Sequence, residues 1–278
     1  MGCHDSGGFV SGTSISRLQR FGPWAVITGA SDGIGRALAV EAAAGGLNLV
    51  LVARRAGPLD ALAADLQRCH GIRCQVVPLD LGRPDAMPRL AAATADLEVG
   101  LLVAAAGFGS AGPLLEQSPD GEVEMVAVNC TAVLEQCLHF GARMAPRRRG
   151  GVVLLSSVVA FHGTPWSANY AASKAYVQSL AEGLRREWAG HGVDVIACAP
   201  GPVASGFARR AGMTMAQSVR PEVVARQTLA ALGRQGTVRP GALSKLLGWS
   251  LAAAPRPLRV AIMGRIMRGM AGRPGSVA

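Results

Sequence analysis

Apolar positions in this chain come in blocks, not singly. Six runs are almost continuously apolar: WAVITG (24–29), LNLVLVA (47–53), CQVVPL (74–79), GLLVAAA (100–106), GVVLLSS (151–157) and VDVIACA (193–199). A strand with one wet face alternates every second residue. Continuous runs predict strands covered on both faces, as in a parallel sheet. Between them, apolar residues recur at helical spacing over roughly 34–45, 57–70, 84–95, 118–145 and 168–190. A seventh strand is expected near 236–239. This alternation predicts an α/β fold: a single doubly wound, Rossmann-type parallel sheet of about seven strands with helices on both faces. No repeat or linker divides the chain, so one domain is expected over 23–240. Residues 1–22 are polar and Gly/Ser-rich, which predicts a flexible N-terminal segment. Residues 241–278 predict a helical extension of the same domain.

Composition narrows the class. Half of the 278 residues are hydrophobic and 17% are charged, the balance of a folded chain with a sizeable core. Glycines, Pro113 and polar residues interrupt the longest uncharged stretches, so no membrane span is expected. The start, MGCHDS, fits a myristoylation pattern at Gly2, and a chance match is the favoured reading. The six cysteines lack zinc-site spacing, so no metal is expected. Free thiols in a reducing, cytoplasmic setting follow. The net charge of +10 raises the question of an acidic partner. Nucleic-acid surfaces interleave such charge with aromatics, and those are 4% here, which argues against nucleic acid.

VITGASDGIGRALA follows the first strand and opens the first helix. Gly29, Gly33 and Gly35 make a turn free of side chains, so a backbone can approach a pyrophosphate. The helix N-terminus behind it offers unpaired N–H groups and positive potential. The second strand ends in LVLVARRAG. Ala53 stands where an acidic residue would hold the ribose hydroxyls of NAD, and Arg54 and Arg55 follow. A guanidinium pairs with a 2′-phosphate that a carboxylate would repel, so NADP(H) is the expected cofactor, with Arg54 the chief selector.

These elements resemble the short-chain dehydrogenase/reductase family over about 24–205. TGASDGIG is similar to its cofactor turn, which adds Ser31, Asp32 and Ile34 to the glycines as expected cofactor contacts. PLDL is similar to its adenine-contacting element, with Asp80 and the Leu81 backbone. VAAAG (103–107) matches the family's Asn-Asn-Ala-Gly strand end only in Ala106 and Gly107. Ala104 and Ala105 stand in place of two asparagines that brace the central strands, so a looser strand end is expected.

The chain's two tyrosines lie in ANYAASKAYVQSL (168–180). Tyr170 and Lys174 are i and i+4, one turn apart on a helix face. A cation beside a phenol favours the phenolate, so a lowered Tyr170 pKa is expected. Such a phenol can give a proton to a carbonyl oxygen or take one from an alcohol. The resemblance implies catalytic roles for Tyr170, Lys174, Ser157 and Asn129. Ser157 would hydrogen-bond the substrate oxygen. Asn129 would hold a water against Lys174, which would also bind the nicotinamide ribose. Tyr176, outside this pattern, is expected to pack. In CAPGPVASGF the resemblance assigns Pro200, Gly201, Val203 and Ser205 to the nicotinamide end. Residues 206–220 are expected as a substrate lid, made apolar by Phe207, Met213 and Met215. Phe108 and Leu114 would form another wall.

In PLRVAIMGRIMRGM, Ile262, Ile266 and Met270 recur every four residues beside Met263 and Met267, with Arg265 and Arg268 opposite. This predicts a basic amphipathic helix that packs on protein; docking on an anionic membrane surface is the less favoured reading. The leading expectation is an NADP(H)-dependent oxidoreductase interconverting a ketone or aldehyde and an alcohol on a small hydrophobic substrate, with lipid-like, acyl or steroid-like compounds the favoured class. A homodimer or homotetramer follows from the resemblance. A non-catalytic NADP(H)-binding regulator and a peripheral membrane protein acting through its tail are the alternatives.

Overall fold

The computed structural model describes residues 17–213, 218–241 and 255–271. Seven strands form one parallel sheet: β1 (Trp24–Thr28), β2 (Asn48–Ala53), β3 (Cys74–Pro78), β4 (Val99–Ala104), β5 (Gly150–Leu155), β6 (Val193–Cys198) and β7 (Thr237–Val238). Their spatial order is β3-β2-β1-β4-β5-β6-β7. The strand order reverses between β1 and β4, and a crevice lies beyond the carboxyl ends of those two strands.

Strand alternation divides the core. Ala25, Ile27, Leu101 and Val103 face one side, against α1 (Gly33–Ala44), α2 (Ala56–His70) and α8 (Pro221–Ala231). Trp24, Val26, Leu102 and Ala104 face the other, against α3 (Ala86–Ala93), α5 (Ala132–Met144) and α6 (Ala168–Ala189). Because both faces are covered, no strand needs polar residues, which is why the runs read as continuous.

The structure departs from the sequence expectations at several points. The helix expected over 118–145 is α4 (Pro119–Val126), a π-helical turn (Ala127–Thr131) and α5. Helix α8 was not expected at all, although Pro221 at its start and buried Val224, Ala225, Thr228 and Leu229 carry a helical signal. Part of the expected flexible N-terminus is packed: Phe21 is buried in the core, and Arg17 donates to the carbonyls of Ala230 and Leu232. Helix ends leave such carbonyls free, and Arg17 caps them. The remaining residues, 1–16, lie outside the described ones. Tyr176 is exposed, not packed.

Helix α9 (Arg256–Met270) forms as expected, but its buried face centres on Met263 and Met267, while Ile266 is 37% exposed. It rests on the loop after β5, with Val260 near Gly163 and Gly264 against Pro165. Among the described residues, no helix is long and apolar enough to cross a membrane.

Candidate active site

The crevice beyond β1 and β4 is a cleft of about 610 Å³. It brings together, from separate loops, every sequence-predicted site residue except Asn129: Gly29, Ser31, Asp32, Gly33, Ile34, Gly35, Arg54, Arg55, Asp80, Leu81, Ala106, Gly107, Ser157, Tyr170, Lys174, Pro200, Gly201, Val203 and Ser205.

The first loop shows why glycine is required. Gly29 has φ +69°, and a Cβ there would sit 2.8 Å from the Ala106 nitrogen; one on Gly35 would sit 2.2 Å from the Gly29 carbonyl oxygen. The turn is therefore pressed flat against β4, with helix α1 starting behind it. Asp32 caps that helix, accepting from the Gly33 N–H at 2.7 Å, and its second oxygen accepts from the Gly206 N–H at 2.9 Å. The same carboxylate thus ties the turn to α7 (Phe207–Arg210).

The end of β4 is braced by a residue the sequence reading missed. Thr28 Oγ1 accepts from the N–H groups of Ala105 (3.1 Å) and Ala106 (3.2 Å) and donates to the Val103 carbonyl. A hydroxyl on β1 does the bracing that the absent asparagines would do, so the strand end is held rather than loose. Thr28 is fully buried. Thr28→Val leaves the half-buried Ala106 N–H without its acceptor, while the Ala105 N–H keeps the Val103 carbonyl at 3.1 Å, and should lower unfolding free energy by about 1–3 kcal/mol in urea denaturation.

Asn129 lies outside the cleft lining, fully buried in the π-turn. Its Oδ1 accepts from the Phe108 N–H at 3.1 Å; its Nδ2 donates to the Phe108 carbonyl at 2.9 Å and to Ser173 Oγ at 3.0 Å. The amide thus holds the loop after β4 through Phe108 and ties it to α6 through Ser173. A Cβ on Gly107 would meet Asn129 Oδ1 at 2.9 Å and Lys174 Nζ at 3.3 Å. Asn129 and Lys174 therefore meet across one glycine. The widened turn aims the amide inward, as π-turns at functional sites commonly do.

Helix α6 delivers Tyr170 and Lys174. Its start is pinned by Ser167, which donates to the Ser110 carbonyl, and by Asn169, whose Nδ2 donates to the Glu122 carboxylate at 2.7 Å. Lys174 Nζ donates to the Leu155 carbonyl at 2.8 Å and lies 5.8 Å from the Tyr170 ring centre. Burial pushes the Lys174 ammonium down to about 8 and the Tyr170 phenol up to about 12, while a hydrogen bond with Ser157 pulls the phenol back. This corrects the expectation that the cation lowers the phenol. With both groups buried, desolvation dominates, because it penalises each charged form. The phenol keeps its proton at neutral pH.

The remaining wall is apolar. Phe207 packs on the Tyr170 ring at 5.4 Å between centres, and Phe108, Val159, Met213, Met263 and Met267 close the cleft around it. Leu114, expected in this wall, is 54% exposed and stands outside it. Met215 lies outside the described residues. Among those residues, no group of three His, Cys, Asp or Glu side chains is placed to hold a metal ion.

A family model described as short chain dehydrogenase matches residues 23–216. The chain belongs to the short-chain dehydrogenase family. This short-chain dehydrogenase is 33% identical, over 177 residues, to a 7beta-hydroxysteroid dehydrogenase of Collinsella aerofaciens; the match covers 64% of this chain and 67% of that protein. It is 35% identical over 191 residues to a very-long-chain 3-oxoacyl-CoA reductase of Podospora anserina, covering 67% of this chain but only 56% of that enzyme. A structure described as giving insights into 7beta-hydroxysteroid dehydrogenase stereoselectivity superposes with a TM-score of 0.82 at 27% identity, over 88% of this chain and 98% of that one. A short-chain dehydrogenase from Sphingobium yanoikuyae in complex with NADPH gives 0.76 at 27% identity, over 92% and 98%.

Proposed function

We propose that this short-chain dehydrogenase is an NADP(H)-dependent oxidoreductase interconverting a ketone or aldehyde and an alcohol on a hydrophobic, steroid-like or acyl substrate. One observation carries the reading: the buried Tyr170 phenol and Ser157 line the same cleft as a glycine turn and two arginines. The steroid and acyl classes, expected from the apolar residues of the sequence, are also what the relatives are named for. The apolar wall of Phe207, Met263 and Met267 supports them.

The residues fit such a cofactor. The glycine cradle, which a Cβ would fill, admits a pyrophosphate; Arg54 and Arg55 suit the 2′-phosphate; Asp80 and Leu81 suit adenine. Ala106, Gly107, Pro200, Gly201, Val203 and Ser205 would line the nicotinamide end. Bound NADP(H) supplies or accepts the hydride. The Tyr170 hydroxyl holds the proton that a reduced carbonyl oxygen takes up, and releases it toward that oxygen. Ser157 orients the oxygen. Lys174 places positive charge beside the phenol, and its own position is kept by the Leu155 carbonyl. A screen of ketosteroids and 3-oxoacyl thioesters for NADPH oxidation tests the reading. Turnover confined to small charged carbonyls, or dependent on NADH, would overturn it.

The depressed Lys174 pKa has a sign that can be tested. Its charge is complete well below about 8, half gone at that value and lost as pH rises through it. Affinity for the anionic cofactor should therefore fall above about pH 8, by up to tenfold per unit, and Lys174→Met should flatten the dependence in a fluorescence titration.

The same reading takes the protein as cytoplasmic with free thiols, and as a homodimer or homotetramer through α4, α5 and α6. Exposed Val123 and Leu138 on α4 and α5 support that surface.

A further inference from the structure

Two guanidiniums converge on one carboxylate oxygen at the side of the cleft. Arg54 Nη1 lies 3.8 Å and Arg210 Nη2 3.5 Å from Glu124 Oε1. The three residues come from the end of β2, from α4 and from the end of α7, and all three line the cleft. Arg210 also lies 3.8 Å over the Phe108 ring, which fixes the plane of its guanidinium. Arg54 and Asp80 are both close enough to act on the Arg210 charge, the first opposing it and the second favouring it. Arg210 therefore stands at the Arg54–Asp80 end of the cleft, not only at the substrate wall formed by Phe207 of the same short helix.

Neither contact is a close charge-assisted hydrogen bond, which would measure about 2.7–2.9 Å. One singly charged oxygen is shared between two cations that are set too wide for it. An anion with more charge and three acceptor oxygens suits such a pair better: a phosphate monoester. We propose that Arg210 is a second determinant of 2′-phosphate recognition, held beside Arg54 by Glu124, which gives up both guanidiniums to the phosphate of NADP(H). This rests on the cofactor reading above. Glu124 is then an internal competitor of the phosphate, and NADH, which lacks that phosphate, gains nothing by displacing it.

Equilibrium binding of NADPH and NADH to the full chain, followed by tryptophan fluorescence or calorimetry, tests this with Arg210→Gln and Glu124→Gln. Arg210→Gln should raise the NADPH Kd about tenfold and leave the NADH Kd within about twofold. The unchanged NADH affinity also reports an intact fold. Glu124→Gln should tighten NADPH about threefold and leave NADH unchanged. An Arg210→Gln protein that loses both cofactors equally, or keeps its full NADPH preference, overturns the inference. So does a Glu124→Gln protein that binds NADPH more weakly. A wild-type protein without NADPH preference overturns the cofactor reading and this inference together; a wild type that prefers NADPH and an Arg210→Gln protein that keeps the preference overturn this inference alone.

Discussion

Tyr170→Phe should abolish turnover, by about 10³-fold or more, while the protein still binds NADPH with near wild-type affinity. The substitution removes one oxygen from a ring that is otherwise held by Phe207 at 5.4 Å and buried against Ala171 and Met263. Packing is unchanged; the proton and the Ser157 hydrogen bond are lost. Because the phenol sits at about 12, it is protonated throughout the physiological range and is lost as a donor only in strong base. The wild-type reduction rate should therefore show no loss from Tyr170 deprotonation between pH 6 and 9, about three units below that value at the upper end. Steady-state kinetics on the substrate found by the carbonyl screen, with a parallel NADPH titration, checks both halves. A Phe variant within tenfold of wild type would remove Tyr170 from the reaction.

Truncation before Pro255 should raise the KM for a hydrophobic substrate at least about tenfold and leave NADPH binding unchanged. Met263 and Met267 are 5% and 4% exposed, and both line the cleft. A buried methionine contributes about 1.5–3 kcal/mol through burial, so losing two uncovers much of the apolar wall. None of Asn129, Ser157, Tyr170 and Lys174 lies in the deleted segment, so turnover at saturating substrate should survive. Kinetics of the truncated chain decide this, with vesicle co-sedimentation of the intact chain alongside. An unchanged KM, together with binding to anionic vesicles that truncation abolishes, would make α9 a membrane-docking helix.

The sheet and its two helical layers were legible because burial on both faces writes itself into local sequence as unbroken apolar runs. The glycine turn was legible for a similar reason: a Cβ at Gly29 or Gly35 would collide with nearby backbone, so the residue type is dictated locally. Tyr170 and Lys174 could be paired because i and i+4 share a helix face whatever the rest of the chain does. The other features depend on distant partners. Thr28 reads as an ordinary strand threonine until β4 is laid beside β1 and the N–H groups of Ala105 and Ala106 reach its hydroxyl. Asn129 reads as an ordinary polar residue within a long helix; only the loop after β4 makes it a clamp, and only the π-turn aims it. The Tyr170 pKa went against local logic, because one turn of helix brings the cation near but only the assembled core sets how dry both groups are. Arg54, Glu124 and Arg210 meet across 156 residues of chain, the span from 54 to 210, and no local pattern announces that meeting. Sequence alone determined the layers, the turn and the pairing of Tyr170 with Lys174 on one helix face, since each is written in local patterns of residues. Tertiary structure decided the bracing, the electrostatics and the arginine cluster, since these arise where remote segments exclude water from one another.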